Sequence, residues 1–351
     1  MFKILFFLKT MKKRDFYFFV VPSLLMMFLF IAVPLAIVFK QSFYITQNVF
    51  EKVEVETCTP GFLKQICETK IESKPKLDEN GNILEVSVFV GFENYKNLLQ
   101  IDKFKNAVYN LSLNEIEKIN FWKAFRFTIS FCLITLPLVI FLGLLIALTV
   151  NNLTRSIKGP VIFISLLPFI ITPIIGALAI RWLFVGEGIL TALLEYLMQK
   201  DIAMFANAWT LELLMIIYRV WHVAPFAFIV FYAGLQTVNK EILESAVIDG
   251  ANRFERLRYI IIPHLMPLII FVSLIHLMDS YRVFEEIVAF SSQAYVISLQ
   301  WLTYDFLIPD ETGNRLINRA STSAMLTMVG VSIIITPLLK RTWEDYREGK
   351  L

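Results

Sequence analysis

Six long apolar stretches decide which solvent this chain folds in. They run Phe16–Phe39, Phe127–Val150, Pro160–Ile180, Trp209–Ala233, Leu265–Ala289 and Ala320–Leu339. A helix rises about 1.5 Å per residue, so about 20 apolar residues cross the ~30 Å hydrocarbon core of a bilayer. Hydrophobic residues make up 57% of the 351 positions and charged residues 18%. A water-soluble core cannot hide that much apolar surface, whereas a bilayer can. The fold class that follows is an all-α polytopic membrane protein with six transmembrane helices.

Lys12, Lys13 and Arg14 precede the first stretch, as in a secretory leader. The uncharged run Phe16–Phe39 is longer than a leader's apolar region, and no small-x-small cleavage pattern follows it, so it is expected to stay as a first span. Basic residues set the orientation. The segment before the first span carries Lys3, Lys9, Lys12, Lys13 and Arg14. Arg155 and Lys158 follow the second span, Lys240, Arg253, Arg256 and Arg258 the fourth, and Lys340, Arg341, Arg347 and Lys350 the sixth. The opposite connections Ile189–Asn207 and Phe290–Asn318 hold only Lys200 and only Arg315. The expected organisation is a cytoplasmic tail at 1–15, a first helix at 16–40, an extracytoplasmic loop at 41–120, a transmembrane core at 121–339 with a cytoplasmic loop at 237–266, and a cytoplasmic tail at 340–351. A multi-pass cytoplasmic-membrane protein of a bacterium or archaeon fits this pattern.

The 41–120 loop is polar. Asp78-Glu-Asn-Gly-Asn reads as a turn between Cys67–Ser73 and Ile83–Val90, which predicts a small β-hairpin over those flanks. Cys58 and Cys67 lie in this loop, and outside the membrane they can pair or stay reduced. Three cysteines, with no CxxC pair, and three histidines scattered at 222, 264 and 276 make neither a metal site nor a catalytic cluster. A net charge of +3 without a basic face excludes nucleic acid as a partner.

The segment Lys240–Pro267 is polar and lies between two apolar spans. Glu241 and Glu244 open a helical pattern, where carboxylates favour the positive helix end. Gly250 permits a sharp turn. Phe254, Leu257, Ile260 and Ile261 recur at helical spacing over Arg253–Ile262, and Pro263 and Pro267 mark the start of the fifth span. Taken alone, this is a helix–turn–helix at the membrane surface, fitted either to a groove on a partner or to lipid headgroups.

The spacing adds more. Glu244, Ala246, Asp249, Gly250 and Ala251, then Leu257, Ile260 and Pro263, match the "EAA" loop of ABC-transporter permeases, with Ser245 in place of one alanine. Phe89-Val-Gly-Phe-Glu-Asn94-Tyr95, Arg181-Trp-Leu-Phe184, Ala233-Gly-Leu-Gln236 and Asp279-Ser-Tyr-Arg-Val-Phe-Glu285 resemble motifs of the maltose-type branch. The sequence therefore resembles a binding-protein-dependent ABC permease subunit of the MalF-like sugar family, from about Val88 to Pro337. A Gly-Gly-Pro turn usual after the fifth helix is replaced by Phe290-Ser-Ser-Gln-Ala. The resemblance implies a type I importer fold that carries sugars, oligosaccharides or glycerol phosphates. It implies as partners a dimer of ABC ATPases, a second permease chain and an external solute-binding protein. In that reading Glu244, Ala246, Asp249, Gly250, Ala251, Leu257 and Pro263 form the ATPase-coupling loop. No GxxxxGK[ST] phosphate loop occurs, so ATP and Mg are expected on the partner ATPase, with no cofactor on this chain and no catalytic residue.

Charged residues within spans are costly and either pair or line a polar path. Asp279 and Arg282, one turn apart, could pair with each other. Together with Arg219, His222, Tyr281 and Glu285 they are the candidates for a translocation path; His222 reads equally as a helix-packing residue, and Tyr281 as an interfacial anchor. Pro168, Pro173 and Gly176 predict a kink in the third span. Two rival functions remain: an ion-coupled secondary transporter of a small polar solute, using Asp279, Arg282 and His222, and a membrane enzyme acting on lipid-linked substrates.

Overall fold

A computed structural model describes residues 13–60, 65–76, 84–186, 188–201, 203–309 and 315–347. Among these residues five helices are long and apolar enough to cross a membrane: Tyr17–Gln41, Asn120–Asn151, Ala208–Leu235, Arg253–Tyr281 and Ile317–Glu344. The helices Arg155–Ile170 and Pro173–Phe184 are long and apolar enough only when taken together, and are bent by 93° at their break, the form of a broken span or a re-entrant loop. The chain divides into two compact units, one made of the residues up to Leu98 with Phe306–Met325, the other of Leu99–Asp305 with Leu326–Leu351.

In the first unit, α1 (Lys13–Met27) passes through a π turn at Phe28–Ala32 into α2 (Val33–Gln41). Pro34 has no N–H to donate, and the wider turn, in which the Val33 N–H reaches the Phe28 carbonyl, absorbs the mismatch. No part of this span's most apolar stretch is buried within the chain, as suits side chains that face lipid. Four strands follow: β1 (Tyr44–Asn48), β2 (Phe50–Pro60), β3 (Gln65–Pro75) and β4 (Glu85–Phe89). They form two antiparallel pairs, β1 with β4 and β2 with β3. The expected hairpin is thereby corrected. Residues 67–73 pair with 52–58, and Glu85–Phe89 pairs with Tyr44–Asn48. The two flanks of the Asp78–Asn82 segment thus each have a partner earlier in the chain; that segment itself lies outside the described residues. The Asn94 amide closes the ladder, donating to the Ser42 and Tyr44 carbonyls at 2.9 Å each, while Tyr95 Oη lies 2.7 Å from Ser42 Oγ.

The second unit begins at Leu99, the last residue of α3 (Glu93–Leu99), and continues with two short helices, α4 (Ile101–Tyr109) and α5 (Leu113–Glu117). Its spans are α6 (Asn120–Asn151), the pair α7 (Arg155–Ile170) and α8 (Pro173–Phe184), then, after α9 (Ile189–Met198), α10 (Ala208–Leu235). Helix α10 lies at the centre, against α6, α7 and α13 (Ile262–Tyr281). A Cβ on Gly143 would come 2.5 Å from Ala227 Cβ, so α6 and α10 pack at a distance only small residues allow. The Arg126 guanidinium answers the charge of Glu212 across the same pair of helices, at 2.5 Å.

The third span does more than kink. It stops at Ile170 and restarts at Pro173. Irregular backbone survives within a bilayer only where protein satisfies its polar groups. Here α10 does so: His222 Nε2 lies 2.9 Å from the Ile171 carbonyl, and Tyr218 Oη donates to the Pro173 carbonyl at 2.6 Å. Gly176 makes room, since a Cβ there would sit 2.6 Å from Tyr218 Oη.

The fifth span also departs from expectation. Arg253–Ile262 is not a separate helix. Instead α12 (Arg253–Arg256) runs through a π turn at Leu257–Ile261 into α13, one run from Arg253 to Tyr281. The π turn again sits just before a proline, Pro263. The span ends at Tyr281 rather than Ala289. A separate short helix, α14 (Glu285–Ala289), folds inward, with Val283, Ile287 and Phe290 buried against Phe127, Phe131 and Tyr218. Ser298 Oγ donates to the Val283 carbonyl and the Leu299 N–H donates to Thr128 Oγ1, tying this segment to α6 as α15 (Leu299–Asp305) begins. Helix α16 (Ile317–Arg347) follows.

Candidate functional site

The loop after α10 is built by backbone geometry. Asn239 Oδ1 accepts from the Glu241 N–H at 2.8 Å and starts α11 (Lys240–Ile248). At the other end the Gly250 N–H donates to the Val247 carbonyl at 3.1 Å and the Ala251 N–H to the Ala246 carbonyl at 2.8 Å. This pair of bonds stops a helix only if the residue after the cap is left-handed, and Gly250 has φ +85°. Two residues on, Asn252 and Glu255 cap α12 reciprocally: Glu255 N–H donates to Asn252 Oδ1 at 2.9 Å, and Asn252 N–H to Glu255 Oε2 at 2.7 Å. The chain thus reverses over Asp249–Asn252 with its backbone fixed at both ends.

Among its exposed charged residues this loop also shows apolar side chains to solvent. Ile248 is 85% exposed and Phe254 66%, with Ile242 and Val247 about half exposed. Among the described residues nothing lies within 4 Å of where a Cβ on Gly250 would stand, so another backbone can approach it closely. Of the residues singled out by sequence, Glu244, Asp249 and Pro263 are exposed, and Ala246, Ala251 and Leu257 are partly buried. The Ala246 carbonyl and Asp249 backbone serve the helix stop. Among the described residues no hydrogen bond or ion pair is formed by the Glu244 or Asp249 side chains, which stand free toward solvent. The caps come instead from Asn239 and Asn252. The Asn-x-x-Glu spacing of a capping box was the signal for the second of these.

The other candidates sit within or beside the spans. Arg219 is buried on α10, with Nη2 3.2 Å from Asp279 Oδ2 and Nη1 3.2 Å from Glu286 Oε1. Its guanidinium also lies over the Phe131 ring, 5.9 Å from the centroid. The expected Asp279–Arg282 pair is replaced by Asp279–Arg219: α13 ends at Tyr281, so Arg282 leaves the helix and is exposed, as is Glu285. Glu286, on the same short helix, carries the fully buried charge. His222 points at the broken third span. Tyr281 is buried against Gly330 of α16, whose Cβ, if it had one, would stand 2.0 Å from the phenol oxygen. Between α6 and α13, His276 Nε2 lies 2.9 Å from Thr135 Oγ1. Arg219, Asp279 and Glu286 therefore come together; among the described residues His222, Tyr281, Arg282 and Glu285 take no part in these ion pairs. The partners were hidden in the sequence because Arg219 precedes Glu286 by 67 positions.

Residues 120–340 match the family described as binding-protein-dependent transport system inner membrane component. A probable ABC transporter permease protein of Pyrococcus horikoshii is 32% identical over 56% of this chain and 67% of its own length. The trehalose/maltose transport system permease protein MalF of Thermococcus litoralis is 28% identical over 57% of this chain and 62% of its own. The arabinooligosaccharides transport system permease protein AraP of Halalkalibacterium halodurans is 28% identical over 47% and 53%. The chain thus spans between about half and two thirds of the length of these relatives. In fold it is similar to a chain of a solved bacterial ABC transporter involved in alginate import, with TM-score 0.67 over 95% of this chain and 96% of that one at 18% identity. With the matched region covering most of the sequence and both ends of the capped loop, the chain belongs to the binding-protein-dependent transport system inner membrane component family.

Proposed function

We propose that this chain is one of two pore-forming subunits of an ATP-driven importer for a sugar or oligosaccharide, and that the loop Lys240–Pro263 seats one of a pair of ABC ATPases. The observation that carries the reading is the loop itself: a reversal fixed by caps and a left-handed glycine, which presents Ile248 and Phe254 to solvent in an otherwise polar segment. Exposed apolar side chains on a rigid turn fit a groove on a partner. The names of the relatives, one for trehalose and maltose and one for arabinooligosaccharides, support the solute class. The segments before the first span and after the last lie in the cytoplasm with this loop, following their basic residues, and the 41–120 segment lies outside, where a solute-binding protein docks.

In this mechanism ATP and Mg stay on the partner. Closure of the ATPase pair moves the loop, and because α12 runs without a break into α13, the push is carried along one helix into the spans. The two permease halves then rock between alternatives biased by nucleotide and by the loaded binding protein. Arg219, held by Asp279 and Glu286, keeps α10 and the inward-folded α14 moving together.

Isolation of the chain from its own membranes in mild detergent, with mass spectrometry of what accompanies it, tests this. The expected companions are an ATPase and a second permease, with the ATPase depleted in Gly250→Asp. A monodisperse chain alone, or paired only with itself, overturns the reading and favours an ion-coupled carrier.

A further inference from the structure

The antiparallel register of β2 and β3 places Cys58 directly opposite Cys67. Opposed residues in such a ladder have Cα atoms about 4.5–5.5 Å apart, within the roughly 4.4–6.8 Å range of disulfide-bonded cysteines. Among the described residues the two strands pair only with each other. A lone two-stranded ribbon is marginal in water, and 8 of the 22 residues of this one are glutamate or lysine, leaving few apolar residues to bury. The third cysteine, Cys132, is free and buried in α6, so it cannot compete for either of the pair.

We propose that Cys58 and Cys67 are joined by a disulfide that staples the β2–β3 ribbon. The bond forms as each thiol gives up one proton and one electron. The electron pair passes to the disulfide of an extracytoplasmic dithiol–disulfide exchange protein, which is left as two thiols. The inference rests on the orientation proposed above, since a disulfide persists only on the oxidising side of the membrane.

Trypsin provides the readout. Cleavage after Lys52, Lys64 and Lys70 yields one peptide, 53–64, holding Cys58 and another, 65–70, holding Cys67. Intact cells are treated with a membrane-impermeant maleimide, the full chain is isolated without reductant, and the peptides are weighed. The two peptides are expected to run as one species, two hydrogens lighter than their sum, separating on reduction. Cys58→Ser should then leave Cys67 open to the maleimide in intact cells. If both wild-type cysteines take up the maleimide in intact cells, the loop is outside and the disulfide is refuted. If they are marked only after permeabilisation, the orientation is wrong and the disulfide falls with it.

Discussion

Arg219 is predicted to be the most costly polar residue to remove from the spans. Its guanidinium lies 3.2 Å from both Glu286 Oε1 and Asp279 Oδ2. The Glu286 side chain is 0% exposed, whereas that of Asp279 is 52% exposed. Arg219→Met therefore leaves Glu286 with no counter-charge and no solvent, and breaking a buried pair from one side costs about 3–5 kcal/mol. Glu286→Gln is milder. Arg219 keeps Asp279, and the penalty is that of a buried amide short of partners, about 1–3 kcal/mol. In the double variant no charge is stranded, so it should be more stable than Arg219→Met alone by about 2 kcal/mol, one edge of the double-mutant cycle. At roughly 2–4 °C per kcal/mol, Arg219→Met lowers the thermal midpoint by on the order of 10 °C. Melting in detergent, followed by tryptophan fluorescence or retention of the monodisperse peak, measures all four proteins. If Glu286→Gln is as damaging as Arg219→Met, or the double variant is no better than Arg219→Met, the buried pair is not what holds α10 to α14.

Three further outcomes follow from a close contact, a hydrogen bond and a left-handed turn. Gly330→Ala should destabilise the fold because its Cβ meets Tyr281 Oη at 2.0 Å; Tyr281→Phe removes that oxygen, which has no hydrogen-bond partner among the described residues, and should rescue the alanine variant in the same melting assay. His222→Phe strips the Ile171 carbonyl of its partner and should cost about 1–3 kcal/mol, with His222→Gln nearer to wild type. Gly250→Ala strains a left-handed position by about 1–2 kcal/mol and should weaken ATPase retention by roughly 5–30-fold, with Gly250→Asn closer to wild type; equal retention by all three would mean the left-handed turn is not needed for docking.

The spans were legible because apolar length needs no partner to be read. What the sequence concealed are features set by residues far apart. Pro168 and Pro173 announce a disturbance in the third span, but a full break is stable only because Tyr218 and His222, 45 and 51 positions after the carbonyls they meet, receive those freed groups. The end of the fifth span was misplaced for a related reason: apolar residues continue past Tyr281 into α14, and only tertiary packing shows them folding inward. In the polar loop, the Asp78–Asn82 turn signal suggested the wrong strand partners, because β-rich flanks lie on both sides of it and local pattern does not fix pairing. The coupling loop was legible in outline from Glu244 to Pro263. Its stiffness was not fully so, since it depends on Asn239 and Asn252, which stand just outside the spaced motif.

The central claim, that this loop seats an ATPase, is tested most directly by a photo-crosslinking residue at Ile248, the most exposed apolar position of α11, with the equally exposed Tyr196 of α9 as control. Illumination of native membranes should join position 248 to an ATPase and leave position 196 without that adduct. An Ile248 position that crosslinks only to lipid, or no more to an ATPase than position 196 does, would contradict the account.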